Sequence, residues 1–267
     1  MKIFNDYLCR QLKGGGMEIN MKEKIHLIMP MAGGGTRFGN KGFGVPKPLI
    51  ELQGKPFFYW ATQSVLKFVE VQDVTFVVLK EHVNKFSIDK KILEYFPNAH
   101  ICVIPYVLNG AVLTCREGVM HIVDSLPILF NDCDHAFVCN SFYDYCREAK
   151  FEKLDGALLT FFSNNPAYSY VQLNQEKNVI KTIEKEVISN EAICGAYYFK
   201  NRETFLEATN EYLTKCEYKE FFVSGLYNGM ANKGACVKTF QIDEHMSFGT
   251  PEEYDAMIDD ERMGVLI

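Results

Sequence analysis

Apolar residues fall along this chain in short runs separated by stretches of helical spacing. Runs of five or six mostly apolar residues predict buried strands at 25–29, 74–79, 100–104, 135–139, 156–161, 194–199 and 236–241. Between them, apolar positions recurring every three or four residues predict helices at 56–68, 88–95, 110–123, 202–214, 220–231 and 251–259. The last helix has a readable start. Thr250 suits the N-cap, Pro251 the first helical position and Glu253 the reciprocal partner of the cap. One segment breaks the alternation. Residues 170–174 and 179–183 flank the polar Gln175-Glu176-Lys177-Asn178, which predicts an antiparallel hairpin inserted in the α/β pattern. Strands alternating with helices point to an α/β fold with a mixed, mostly parallel sheet flanked by helices. No repeat or linker is visible after residue 24, so residues 25–267 read as one domain behind an extension, 1–24.

Composition narrows the partners. The chain has 267 residues, 48% of them hydrophobic, and a net charge of −6, which argues against nucleic acid or an anionic membrane as the main partner. No apolar run is long enough to span a bilayer. The nine cysteines are scattered, with no Cys-x-x-Cys pair, and read as reduced core thiols of a cytoplasmic protein. Oligomeric state is not written in the sequence, and a homo-oligomer stays open.

Candidate chemistry is concentrated after the first strand. Pro30-Met31-Ala32 leads into Gly33-Gly34-Gly35-Thr36-Arg37, and Pro46-Lys47-Pro48 follows. Glycines at a strand end let backbone N–H groups approach a phosphate closely. Arg37 offers a fork matched to phosphate oxygens, and Lys47 is a second cation on a backbone stiffened by two prolines. A Walker loop and a Rossmann fingerprint are both absent. A second cluster, Asn131-Asp132-Cys133-Asp134-His135, holds carboxylates suited to a hard cation; a capped turn is the alternative reading.

At these residues the chain resembles the sugar-1-phosphate nucleotidyltransferases, also called nucleotide-sugar pyrophosphorylases, whose signature joins Gly-x-Gly-Thr-Arg to Pro-Lys-Pro-Leu. The resemblance runs from about residue 25 to about residue 254. It implies a single-domain Rossmann-like, GT-A-like fold and a reaction between an NTP and a phosphorylated sugar or similar small molecule, with Mg2+ as cofactor and pyrophosphate as product. Arg37 and Lys47 take the catalytic roles. Ala32, Gly33, Gly35, Thr36, Asn109 and Gly110 fall at nucleotide-binding positions. Asp134 takes the metal position, with Asp132 as runner-up. Glu184, Lys185 and Gly195 fall where the family holds the sugar phosphate.

Departures from the family pattern are equally specific. Glu186 stands where proline often follows the lysine, and Tyr168-Ser169-Tyr170 stands where glycine often follows a tyrosine. Ser224 and Ser247 lie in segments where many members carry acidic residues, so the second metal ligand stays open, with Asp243 one candidate. A GT-A glycosyltransferase using Asp132-Cys133-Asp134, a cytidylyltransferase acting on a non-sugar phosphate, and a non-catalytic nucleotide-binding homologue are the competing readings.

Overall fold

A computed structural model describes residues 24–39, 42–148 and 154–267, with Thr36 and Arg37 described in backbone only. The thirteen strands among them are β1 Ile25–Pro30, β2 Glu51–Leu52, β3 Lys55–Pro56, β4 Val71–Leu79, β5 His100–Ile104, β6 Ile128–Asn131, β7 His135–Val138, β8 Gly156–Phe162, β9 Ser169–Leu173, β10 Val179–Glu184, β11 Glu191–Phe199, β12 Val237–Gln241 and β13 Glu244–Ser247. The main sheet runs β10-β9-β11-β6-β1-β4-β5, with β8 beside β11 and β12 beside β8.

The sheet has two halves. Strands β6, β1, β4 and β5 are mutually parallel, so their carboxyl ends open on one edge. Strand β11 then pairs antiparallel with β6, β8 and β9, and the β9–β10 hairpin closes that side. Its turn is built by Asn174, whose Oδ1 accepts from the N–H groups of Glu176 and Asn178.

Period-two alternation divides the core between the two faces. Leu27 and Met29 of β1 join one buried cluster, and Ile28 joins the other with Val77, Ile128 and Phe130. Helix Phe57–Leu66 covers the first face and buries Phe57, Phe58 and Trp60, each contributing roughly 1.5–3 kcal/mol of transfer free energy or more. Helix Ala111–Gly118 covers the second. It sits so close that a Cβ on Gly118 would lie 2.7 Å from Ile28 Cγ2 and 2.8 Å from Val77 Cγ2.

The sequence pattern misplaces one functional strand. Residues 135–139 were expected in the sheet, yet β7 pairs with β13 outside it, and the sheet strand is the four-residue β6 behind Pro127. A run that short gives almost no periodicity. Helices Lys80–Phe86 and Asn140–Arg147 were not expected either. The helix expected at 220–231 begins only at Leu226, after the tight turn Val223–Gly225. Residues 1–23 of the expected N-terminal extension lie outside the described residues. No helix among the described residues is long and apolar enough to cross a membrane.

Candidate active site

The parallel strands deliver two loops to the same sheet edge. After β1, Met31 N–H donates to the Val77 carbonyl (2.9 Å), and the chain turns through Gly33–Gly35. Gly35 has φ +58°, and a Cβ on it would lie 3.4 Å from Lys47 Cβ. The glycine loop therefore packs directly on the lysine segment. Lys47 opens a short turn, Lys47–Leu49, in which Leu49 N–H returns to the Pro46 carbonyl at 2.8 Å. Phe38 anchors the far side of the loop in an aromatic nest, 5.1 Å from Phe43 and 5.7 Å from Phe57 between ring centroids.

The acidic turn lies opposite. Asn131 ends β6 and is pinned by its Nδ2 donating to the Ala61 carbonyl (3.0 Å). Asp132 N–H donates to the Gly195 carbonyl (3.0 Å), and the Asp134 carbonyl accepts from Phe248 N–H (3.0 Å). Lys47 Nζ donates to Asp134 Oδ2 at 2.6 Å, across 87 residues of sequence. The lysine side chain is 28% exposed and the aspartate 22%, so this pair is only partly screened by water.

Electrostatics separates the two carboxylates. Burial would raise Asp134, but the adjacent Lys47 charge and hydrogen bond outweigh it and hold the group below the usual carboxylate range. Burial also raises Asp132. The charges of Asp134 and Glu184 add to that and Lys47 opposes it, leaving Asp132 well above its ordinary value. Burial lowers Lys47, but the Asp134 charge reverses the effect and keeps the ammonium protonated.

Two glycines are required by the close packing of this turn. A Cβ on Gly195 would lie 2.8 Å from Asp132 Oδ2 and 3.0 Å from His135 Nε2, and Gly195 has φ +101°. A Cβ on Gly249 would meet Asp134 Oδ2 at 2.6 Å. The capping box expected at Thr250 is formed: Glu253 N–H donates to Thr250 Oγ1 (3.2 Å), and Thr250 N–H donates to Glu253 Oε2 (3.0 Å). Tyr168 donates its hydroxyl to the other Glu253 oxygen (2.8 Å).

Among the described residues, two cavities of about 420 Å3 flank the Lys47–Asp134 pair. One is bounded by Ala32, Gly33, Gly35, Asn109 and Gly110. The other is bounded by Asp132, Asp134, Tyr168, Glu184, Gly195 and Glu253. Both touch Ala111, and a smaller recess lined by Gly33, Gly35, Lys47, Asp132 and Asp134 lies between them. Asn109 and Gly110 are positioned by backbone bonding to Phe221. Phe221 N–H donates to the Asn109 carbonyl (3.3 Å), and a Cβ on Gly110 would fall 2.3 Å from Phe221 N.

Asp243 takes another place from the one expected, whereas Glu184 lines the second cavity. Asp243 Oδ2 accepts from Asn140 N–H (2.7 Å) at the start of a helix, and Asp243 does not line either cavity. Lys185 has φ +56° and places its ammonium 5.1 Å from the ring centroid of Phe222, a residue that lines the second cavity. Glu184 accepts from the hydroxyls of Ser169 and Ser224, so these serines orient a carboxylate. The side chains of Thr36 and Arg37 lie outside the described residues.

Two imidazoles that line the second cavity, His135 and His245, carry no signal in the sequence pattern. Register pairs Ser247 with His135 and His245 with Phe137, bringing the two rings within 5.7 Å. Only the pairing of β7 with β13, two short strands over a hundred residues apart, could have shown it. Burial lowers His245 to about 3, with the His135 and Arg262 charges adding to the effect. A histidine held neutral in the fold contributes stability above its unfolded pKa of roughly 6.5, and that stability is lost as pH falls. His245→Phe is expected to flatten the acid limb of a urea-stability profile. The wild type should lose up to about 1.4 kcal/mol per pH unit more than the variant below roughly pH 6. Parallel profiles would show that His245 protonates freely in the fold.

Comparison with known proteins agrees with this architecture. No family model matches the chain. The probable mannose-1-phosphate guanyltransferase of Schizosaccharomyces pombe is 27% identical over 217 residues, covering 73% of this chain and 49% of that protein. The chain thus spans about half the length of the curated relative it matches. The crystal structure of a nucleoside-diphosphate-sugar pyrophosphorylase from Vibrio cholerae RC9 superposes with a TM-score of 0.76 at 23% identity, over 88% of this chain and all of that one. The inositol-1-phosphate CTP transferase from T. maritima superposes with a TM-score of 0.69 at 12% identity, over 91% and 95% of the two chains. The chain therefore has the fold of these two solved structures.

Proposed function

We propose that the protein is a nucleotidyltransferase that moves an NMP group from an NTP to a sugar 1-phosphate or similar phosphorylated small molecule, releasing pyrophosphate. Its product would supply the synthesis of surface polysaccharides. The observation that carries this reading is the Lys47–Asp134 ion pair, with one cavity bounded by glycines and the other by acidic groups. An ammonium and an oxygen ligand at such a junction are what transfer at an α-phosphorus requires. The reading is supported by what the similar proteins are called: a probable mannose-1-phosphate guanyltransferase, a nucleoside-diphosphate-sugar pyrophosphorylase and an inositol-1-phosphate CTP transferase.

In this reading the triphosphate lies along Gly33–Gly35, whose N–H groups and lack of Cβ atoms suit phosphate oxygens. Asn109 and Gly110 face the base. The second substrate lies in the acidic cavity, with Glu184 on its hydroxyls and Lys185 near its phosphate. A phosphate oxygen of that substrate attacks the α-phosphorus. The bond from the α-phosphorus to the bridging oxygen breaks, and pyrophosphate leaves with the electron pair. No covalent enzyme intermediate forms. Lys47 spans the α-phosphate and the attacking phosphate, and Arg37 balances charge on the departing pyrophosphate. Asp134, with Asp132 beside it, offers oxygen donors that suit Mg2+, and the raised Asp132 marks a place where negative charge is in excess. When bound, Mg2+ would neutralise charge on the phosphates.

The test is a pyrophosphate-release screen of ATP, GTP, CTP, UTP and dTTP against phosphorylated sugars and alcohols with Mg2+. Pyrophosphate formed in step with an NDP-linked product supports the assignment. Release of a nucleoside diphosphate from a sugar nucleotide would instead identify a GT-A glycosyltransferase. Nucleotide binding without turnover would identify a regulatory homologue.

A further inference from the structure

A second constellation lies at the opposite end of the parallel strands. Asp73, near the start of β4, His100, the first residue of β5, and His121, after helix Ala111–Gly118, bring one ligand atom each to within 4.8 Å of one another. The rings of His100 and His121 lie 4.7 Å apart at 40°. Asp73 is opposite His26 in the β1–β4 register, four residues before the end of β1, so the cluster is at least about 13 Å from the glycine loop at roughly 3.3 Å per residue. It is therefore separate from the Asp132–Asp134 pair.

One of the donors, Asp73, is already held from behind. His26 donates from Nδ1 to Asp73 Oδ1 (2.8 Å) and from Nε2 to Asp124 Oδ1 (2.8 Å), which fixes one Asp73 oxygen and leaves the other available. Thr75 Oγ1 lies 3.2 Å from His121 Nε2, a long contact that exchanges at little cost. Ligands oriented in this way by outer partners are a mark of metal sites. Ligand atoms around a tetrahedral ion with bonds near 2.0 Å stand about 3.3 Å apart, so the cluster must contract by up to roughly 1.5 Å. His100 and His121 are exposed, and rotation of their rings can supply that movement.

We propose that Asp73, His100 and His121 form a binding site for a divalent transition-metal ion, completed by water. Two imidazoles and one carboxylate suit Zn2+, Ni2+ or Cu2+, whereas Mg2+ prefers oxygen donors alone. The ion would tie β5, the edge strand of the parallel half, to β4 and to the segment behind helix Ala111–Gly118. Binding would stabilise the fold by mass action and would leave nucleotide chemistry at the other sheet edge untouched.

The test uses the full chain, freed of metal and kept reduced, titrated calorimetrically with ZnCl2, NiCl2 and MgCl2. Wild type is expected to bind one equivalent of Zn2+ or Ni2+ and not Mg2+ at this site. A melting midpoint about 5 °C higher is expected at hundredfold excess over Kd. Affinity should fall at least about tenfold in His100→Ala and in His121→Ala, and the one-equivalent phase should vanish in the double variant. Both residues are exposed, so the variants should fold. Binding by thiols elsewhere would survive in the double variant. Indistinguishable titrations of wild type and double variant, or no saturable binding to wild type, would overturn the proposal. Neither result depends on the transferase reading.

Discussion

Lys47→Ala is expected to reduce pyrophosphate-releasing turnover by about 10²–10³, the loss seen when one preorganised charge-stabilising donor is removed. The ammonium sits 2.6 Å from Asp134 and stays charged because that carboxylate reverses the effect of burial. Stability should fall as well, by about 1.5–3 kcal/mol, because the Asp134 charge loses its partner. Comparison with Lys47→Met separates these effects, since methionine keeps most of the apolar stem while removing the charge. Pairing it with Asp134→Asn should recover stability without recovering turnover. Steady-state kinetics and urea unfolding on the same preparations provide both readouts. Near-normal turnover in Lys47→Ala would refute the role given to the ammonium.

Gly195→Ala is expected to cost about 10² in turnover and about 1–3 kcal/mol in stability. A Cβ there meets Asp132 Oδ2 at 2.8 Å and His135 Nε2 at 3.0 Å, and the φ of +101° is strained for any side chain. The strand cannot retreat easily, because Asp132 N–H bonds to the Gly195 carbonyl and Ala196 is in register with Asn131. The acidic turn must move instead, and a displacement of about 1 Å at reacting groups carries a hundredfold penalty. Unchanged turnover and an unchanged unfolding midpoint would show that the turn is softer than its packing indicates.

Much of this arrangement is legible in the sequence, for reasons that differ from residue to residue. The β1 strand, the hairpin at 169–184 and the capping box at Thr250 are local features, each carried by residues within a few positions of one another. Gly195 was legible only through its family resemblance. The reason glycine is needed there, the Asp132 carboxylate 63 positions earlier, is a tertiary contact. The same holds for Gly249 against Asp134 and for Gly110 against the Phe221 backbone. Strand β6 was hidden by its length, and the true position of β7 by its pairing with β13 outside the sheet. Asp243 looked available as a ligand because a carboxylate committed to a helix N-terminus has the same sequence signature as a free one.

Ser224 illustrates the opposite case. Read as the loss of an acidic group, it suggests a weakened site, yet its hydroxyl donates to Glu184 at 3.4 Å and Ser169 supports the same carboxylate. Two neutral donors hold one glutamate in place without adding charge to a cavity already lined by several carboxylates.

The most direct test of the central claim is a crystal structure of the protein with Mg2+ and a non-hydrolysable NTP. The account predicts phosphates against the Gly33–Gly35 backbone, the metal on Asp134, and Lys47 Nζ turned from Asp134 toward the α-phosphate. Nucleotide bound elsewhere on the molecule, with the Lys47–Asp134 pair undisturbed, would contradict it.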